Sequence, residues 1–163
     1  MKKFLFILGF ILSFLAYSIV ISAEEINLEK KVLKILKVKS HKSFEIDTIG
    51  NCYLAGVSGP KFSDEIFAKA MIEVNKFIDD NKNTDGTNNL LIEKDVSVNK
   101  NGKTRTSFYV IIQGKNGMSL NEYLVSRGIC YTNKHTEKYF DKEKTKKLED
   151  NAKQAKLYKW SDK

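Results

Sequence analysis

The sequence predicts a single α+β domain, mainly β, that follows an apolar N-terminal segment. Its 163 residues are 42% hydrophobic and 29% charged, which suits one domain with a real core. Residues 44–49 alternate apolar and polar side chains, as half-buried strands do, whereas residues 67–78 repeat apolar side chains at helical spacing. The ordinary apolar content and the single proline exclude collagen-like, low-complexity and broadly disordered classes.

Residues 1–23 have the pattern of a secretory signal peptide. Lys2 and Lys3 precede an almost wholly apolar run, residues 4–21, and small residues up to Ala23 precede two glutamates. An uncleaved membrane anchor is the alternative, because the run is near the roughly 18 residues that can span a bilayer. We therefore expect an exported protein, periplasmic or secreted, with a short polar leader at 24–30 and the domain at 31–163. Cleavage lowers the net charge from +8 to +6, since two lysines leave.

Export raises the question of a disulfide between Cys52 and Cys130. The alternative is two separate buried thiols, and the sequence leaves both open. Two cysteines and two histidines are too few for a disulfide framework or a zinc site. His41 and His135 stand alone in polar surroundings, so we expect both at the surface.

The first half of the domain reads as a meander followed by a helix. Residues 32–38 favour a strand, although a helix competes, and a second strand follows at 44–49. A Gly-Asn turn leads to a third strand at 52–57. Ser63 is the expected N-cap of a helix. Its apolar face carries Phe67, Ala70, Met71, Val74, Phe77 and Ile78.

The second half reads as a hairpin and two helices. A polar loop with an Asp-Gly turn at 85–86 precedes strand segments at 90–92 and 96–98. The Asn-Gly pair at 101–102 predicts a tight turn, and residues 107–113 form the returning strand. Ser119 and Glu122 match a capping box, which predicts a short helix at 120–127 with Gly128 as its cap. The last helix contains Leu148, Ala152 and Ala155 and ends at Trp160.

Three segments, in order, resemble the thermonuclease (staphylococcal-nuclease-like) family. Residues 119–129, SLNEYLVSRGI, are similar to the family's V-N-E-x-L-V-x-x-G-L. Residues 53–61, YLAGVSGPK, are similar to R-L-x-G-I-D-x-P-E, and residues 151–161, NAKQAKLYKWS, to E-x-x-A-K-x-x-x-x-G-L-W-S. The resemblance implies a five-stranded OB-fold-type Greek-key barrel with about three packed helices. Such barrels bind oligonucleotides and oligosaccharides on one face.

The resemblance also implies a calcium-dependent phosphodiesterase, but its acidic residues are replaced. The family's metal loop D-G-D-T aligns with residues 40–43, Ser-His-Lys-Ser. In the second motif Tyr53 stands in place of an arginine, Ser58 in place of a metal-binding aspartate and Lys61 in place of the base-like glutamate. Calcium takes 6–8 oxygen ligands, and a lysine repels it. We therefore expect no metal.

Arg105 is the one position that retains a family arginine. Residues 105–110, RTSFYV, align without gaps to R-T-L-A-Y-V, although another register puts Lys103 in that role. Four nearby acids are the candidates for a relocated acidic site: Glu45, Asp47, Asp64 and Glu65. The first two are expected to face solvent, and the second two to serve the N-terminus of the helix.

These replacements predict an exported, non-catalytic binding module for nucleic acid or another anionic partner, without a cofactor. Its ligand would lie in a basic cleft of Lys42, Lys61 and Arg105. Two alternatives remain: an active calcium-dependent extracellular nuclease with a rearranged acid set, and a structural envelope protein that uses the barrel as a scaffold. Three tyrosines either offer stacking faces to bases or pack in the barrel: Tyr53, Tyr109 and Tyr123.

Overall fold

The computed structural model describes residues 27–59, 61 and 63–158. The predicted signal segment lies outside these residues, and the last helix, which was predicted to end at Trp160, ends at Gln154. The described elements are, in order, β1 (Glu29–Leu33), β2 (Ile35–Ser40), β3 (Ser43–Ile46), β4 (Gly50–Leu54), β5 (Val57–Ser58), α1 (Asp64–Asp80), β6 (Asn88–Val98), β7 (Thr104–Ile112), α2 (Leu120–Ser126), β8 (Tyr131–Thr132), α3 (Thr136–Tyr139) and α4 (Lys142–Gln154). The predicted α+β class, mainly β, is confirmed.

Six strands form one curled, half-barrel sheet in the order β1-β6-β7-β4-β3-β2, and β5 pairs with β8 separately. β4 and β7 run parallel, with Tyr53 opposite Tyr109, and the other neighbours are antiparallel. β1 and β2 lie at opposite ends of this order, yet only Lys34 separates them in the chain. The chain itself therefore links the two edges of the sheet.

Two predicted strands are interrupted. Residues 32–38 are extended, so the helix alternative was wrong, but β1 pairs with β6 whereas β2 pairs with β3. This change of partner at Lys34 makes six strands where five were expected. The predicted strand at 52–57 breaks at Gly56, whose φ is +64°. A Cβ there would lie 3.0 Å from the ring of Tyr139, so both the backbone and the packing require glycine.

The core lies between the sheet and the helices. On α1 the four residues Ala70, Val74, Phe77 and Ile78 are buried, as their spacing predicted, whereas Phe67 and Met71 are half-buried. Each large apolar side chain contributes about 1.5–3 kcal/mol on full burial. This amphipathic stripe and the buried residues Leu120, Leu124 and Val125 of α2 together close one side of the core.

Helix α2 is attached to the sheet by a buried amide. The capping box of Ser119 and Glu122 is present. Asn121 is fully buried, and its Nδ2 donates to the carbonyl oxygens of Ala55 at 2.9 Å and Val110 at 3.3 Å. Asn121 thus joins α2 to β7 and to the residue that follows β4.

Several boundaries differ from the sequence predictions. β6 is one continuous strand, β1 begins two residues inside the predicted leader at Glu29, and α4 begins at Lys142. The carboxylate of Asp141 caps α4 by accepting from the N–H of Lys144 at 2.7 Å. Ser63 occupies the N-cap of α1, but its side chain makes no capping hydrogen bond. The one-turn helix α3 was not predicted.

The two cysteines are free, buried thiols, so the separate-thiol alternative describes them. Burial raises the pKa of Cys52 to about 11 and that of Cys130 to about 12. Both thiols are therefore neutral at ordinary pH and behave as small apolar groups in the core.

No helix within the described residues is long and apolar enough to cross a membrane.

Candidate functional site

The outer face of the sheet carries an open groove of about 420 Å³. Side chains alternate across a strand, so every second residue of β6 and β7 points to this face. Glu93, Asp95 and Ser97 of β6 lie opposite Tyr109, Ser107 and Arg105 of β7. We call the groove the tyrosine groove, and its lining is Tyr53, Asp95, Ser97, Arg105, Ser107 and Tyr109.

Arg105 and Tyr53, two of the predicted site residues, meet in the tyrosine groove. Arg105 is exposed, and Tyr53 is 43% exposed beside its strand neighbour Tyr109. Lys103, the alternative in the other register, lies in the hairpin turn, where its carbonyl oxygen accepts from the N–H of Asn99 at 2.9 Å. Arg105 is therefore the cation that this groove presents.

A second cavity of about 410 Å³ adjoins the groove and shares Asp95 and Tyr109 with it. Its remaining lining comes from β4 to β6 and from the segment around α3: Leu54, Gly56, Val57, Glu93, Asn133, His135, Lys138 and Tyr139. The two hollows form one continuous surface, whose floor is the outer face of β6 and β7.

Glu93 is the buried charge of this second cavity, and it was not predicted as a site residue. Its carboxylate accepts hydrogen bonds from Lys138 Nζ and the hydroxyl of Tyr139. Burial alone would raise the pKa of Glu93, but these two bonds outweigh it and lower the pKa. Burial, followed by the bond to Glu93, raises the pKa of Tyr139. At neutral pH Glu93 is thus an ionised carboxylate that Lys138 neutralises. The charged residues Lys94 and Asp95 follow it in the chain, so no local pattern in the sequence indicated its burial.

Lys42 lies against the segment that contains Ser58 and Gly59 and leads to Lys61. Lys42, in the turn between β2 and β3, is half-buried, and its Nζ donates to the carbonyl oxygen of Gly59 at 3.4 Å. Ser58 Oγ accepts from Asn133 Nδ2 at 3.1 Å. Lys61 is exposed. The ammonium group of Lys42 therefore lies against the segment that leads to Lys61, and a close approach of the two ammonium groups stays a prediction.

His41 is buried, so the expectation of a surface residue was wrong. It is 4% exposed and meets the ring of Phe67 edge-on at 6.2 Å. The turn at 40–43 folds against Gly59, where an added Cβ would lie 2.0 Å from His41 Nε2. Burial, aided by Lys42, lowers the pKa of His41 to about 4. His135 is exposed, as expected.

The residues at the family's metal positions do not fit calcium. Together with the base-like position, they offer the ammonium groups of Lys42 and Lys61 and the hydroxyls of Ser40 and Ser58, both of which already take part in hydrogen bonds. In the part of the chain that the structure describes, no group of three or more His, Cys, Asp or Glu residues could hold a metal ion. Glu45 is ion-paired with Lys39 at 3.0 Å, and Asp47 is exposed. α1 begins at Asp64, so Asp64 and Glu65 lie in its first turn, as the sequence predicted.

Tyr123 differs from the other two candidate tyrosines because it packs inside the helical layer. Its hydroxyl donates to Glu73, and its ring lies 5.1 Å from that of Phe77. Burial and this carboxylate raise the pKa of Tyr123 to about 12. Arg127 completes the cluster with an ion pair to Glu73 at 3.2 Å. Tyr123 therefore has a packing role, which leaves Tyr53 and Tyr109 as the tyrosines of the groove.

Comparisons with family models and with curated proteins give no match to this chain.

Proposed function

We propose that this protein is an exported, non-hydrolytic binding module that holds single-stranded nucleic acid along the tyrosine groove. The observation that carries the proposal is that Tyr53, Tyr109 and Arg105 line one open groove. Neighbouring aromatic faces and a cation are the elements with which sheet surfaces bind unpaired bases and their phosphates.

An OB-fold-type barrel is part of the proposal. The sheet order, the parallel pairing of β4 with β7 and the chain link between β1 and β2 support it. A Greek-key barrel whose first strand bends at Lys34 and serves both edges has this order. Barrels of this type bind oligonucleotides across an outer sheet face, and the tyrosine groove lies on such a face.

The charges of the tyrosine groove indicate how a single strand of nucleic acid would lie in it. Stacking on an aromatic side chain contributes about 1–3 kcal/mol per base. Asp95 lies between the two tyrosines and the tip of the hairpin, and it repels phosphate but accepts from base N–H groups. Bases would therefore cover Asp95 and the tyrosines, while a phosphate contacts Arg105.

The absence of hydrolysis in the proposal rests on donor chemistry. Lys42, Ser58 and Lys61 stand where the resembled family has metal ligands and a base. Removing one electrostatic stabiliser of a transition state commonly costs ~10²–10³ in rate, and groups that act as a unit fail together. We therefore expect these replacements to abolish hydrolysis without abolishing nucleic-acid binding.

The test is a fluorescence-anisotropy titration of purified protein with labelled single-stranded and duplex DNA at several salt concentrations. We expect single strands to bind more tightly, and the affinity to fall as salt rises. Arg105→Gln and Tyr53→Ala should each weaken binding by about tenfold. Lys147→Gln, which removes an exposed charge on α4, is the matched control. Equal affinity in all variants, or calcium-dependent cleavage by the wild type, would overturn the proposal.

A further inference from the structure

The hairpin of β6 and β7 extends beyond the strands that flank it. The described pairing of β1 with β6 ends where Glu29 meets Ile92, and that of β4 with β7 begins where Cys52 meets Phe108. Residues 94–107 therefore form a two-stranded projection, which we call the ribbon. Its turn is well formed, because Asn99 Oδ1 accepts from the N–H of Lys103 at 2.9 Å and Gly102 has a φ of +72°.

The two faces of the ribbon differ in chemistry. One face carries Asp95, Ser97, Arg105 and Ser107 and belongs to the tyrosine groove. The opposite face, which we call the valine face, carries Lys94, Val96, Val98, Thr104 and Thr106. On it Val96 lies opposite Thr106, and Val98 opposite Thr104. Val96 is 55% exposed and Val98 66% exposed. The valine face is thus a small aliphatic surface open to solvent.

Basic residues lie at the two ends of this aliphatic surface. Lys94, Lys100 and Lys103 are exposed at its base and at the turn. Asp95, the single acidic residue of the ribbon, is on the opposite face. An aliphatic patch bordered by cations is complementary to a surface that offers both negative charge and hydrocarbon. An anionic phospholipid bilayer has both, whereas a nucleic acid would leave the valines in water.

We propose that the valine face is a contact surface for an anionic phospholipid bilayer. The two valines enter the headgroup boundary, and the three lysines contact the lipid phosphates. Because Arg105 and the tyrosines point away from the valine face, the tyrosine groove stays open while the ribbon lies on the bilayer. The contact is independent of the proposed nucleic-acid function, since it uses the other side of the same strands.

The first test places a fluorescent reporter on the valine face of the full chain. Val98→Trp is made in a Trp160→Phe background, and vesicles of phosphatidylcholine with phosphatidylglycerol carry brominated acyl chains. We expect a blue-shifted emission and quenching by bromine, both reversed by high salt. Ile72→Trp is the matched control, because Ile72 is 67% exposed on α1, and its emission should not change. The N-terminal apolar segment is the same in both proteins, so it does not produce a difference between them.

The second test removes the contact without adding a reporter. Val96→Ser with Val98→Ser, and separately Lys100→Gln with Lys103→Gln, should each weaken binding to the anionic vesicles about tenfold or more. Lys146→Gln with Lys147→Gln on α4 matches the charge change and should weaken it less. Single-stranded DNA affinity should survive the valine substitutions, so failure of one proposal does not imply failure of the other.

Three outcomes would overturn the lipid contact. The first is an unchanged emission of Val98→Trp on anionic vesicles. The second is an equal response of Ile72→Trp, which would assign binding to another part of the chain. The third is a blue shift that depends on protein concentration without vesicles, which would assign the valine face to a second copy of the chain.

Discussion

The two ends of the β6–β7 hairpin contain the same kind of residues in opposite environments. At the inner end Leu90 lies opposite Ile112, and Ile92 opposite Val110, all of them buried under α1 and α2. At the outer end the same face of the same strands carries Val96 and Val98, both largely exposed. Lys94 interrupts the aliphatic residues of this face between the two ends, and Thr106 and Thr104 face the outer valines where Val110 and Ile112 face the inner residues. Burial ends where the flanking strands end.

The comparison shows that a β-strand pattern reports which side of a strand is apolar and does not report what covers it. β1 and β4 accompany the hairpin only as far as Ile92 and Phe108. Beyond that point the apolar side is available for another surface. The inner end therefore stabilises the fold, and the outer end is where an interaction is expected.

The largest expected effect is a difference in the free energy of unfolding between variants at the two ends of the hairpin. Ile92→Ala should lower the free energy of unfolding by about 2–5 kcal/mol, because it leaves a cavity in a packed core. Val98→Ala, six residues along the same face, should change it by less than about 0.5 kcal/mol, because the side chain is exposed. Urea unfolding followed by circular dichroism measures both. A comparable loss in Val98→Ala would mean that the ribbon is covered.

The next effect is a pH dependence of stability that comes from the buried His41, and the exposed His135 serves for comparison. The pKa of His41 falls from 6.5 to about 4 on folding, so below pH 6.5 the unfolded chain binds a proton that the folded chain does not. The stability from this group is complete above pH 6.5 and is lost as the pH falls towards 4. We expect a loss of about 2 kcal/mol between pH 7 and pH 5, where carboxylates still contribute little.

The measurement is urea unfolding at a series of pH values. His41→Gln should flatten the curve between pH 7 and pH 5, whatever its effect on absolute stability. His135→Gln, at an exposed position, is the matched control. A slope that persists in His41→Gln would assign the titration to another group.

A third effect tests whether Lys42 and Lys61 form a second anion-binding region. Lys42→Glu with Lys61→Glu should weaken polyanion binding at least tenfold, because two local cations become anions. The fold should persist, since Lys61 is exposed and Lys42 loses one hydrogen bond to Gly59, worth about 1 kcal/mol. Lys146→Glu with Lys147→Glu is the matched control on α4. Equal losses in both double variants would reduce the region to diffuse charge.

The smallest expected effect is that of calcium. Millimolar calcium should cause no cleavage of DNA or RNA and should leave the midpoint of thermal unfolding unchanged, because Lys42, Ser58 and Lys61 repel or fail to ligate it. A gel assay and a thermal melt with and without chelator measure this. Cleavage that depends on calcium and is lost in Glu45→Gln or Asp47→Asn would identify a rearranged acid set.

The strands and helices were predicted correctly where a cap, a turn or an apolar stripe is encoded by a few neighbouring residues. The capping box of Ser119, the turn at Asn101 and Gly102, and the apolar stripe of α1 all occur where their residues predict them. No signal in the sequence indicated the break at Lys34, because it marks only the point where the extended chain stops pairing with β6 and starts pairing with β3. α3 was missed because four residues carry no periodicity, and its hydrogen bonds include Thr136 Oγ1 to the carbonyl oxygen of distant Gly56 at 2.6 Å.

The candidate site was predictable only in part. Arg105 and Tyr53 were singled out by the resemblance, and their meeting in one groove depends on the parallel pairing of β4 with β7. Glu93 and Lys138 are 45 residues apart, so no local pattern joins them. His41 has polar neighbours in sequence but apolar ones in space, and its environment was therefore read wrongly.

Three properties could be predicted from the amino-acid sequence: the α+β class, the positions of most strands and helices, and the loss of acidic residues at the positions where the resembled family binds metal. These follow from side-chain type, spacing and the turn preferences of Gly and Asn, which act over a few residues. Other properties became clear only from the folded chain: which side chains share a groove, that Glu93 is neutralised and His41 is buried, and that Val96 and Val98 are exposed. Those properties depend on which strands end beside which, because burial and charge pairing are set by neighbours distant in the chain.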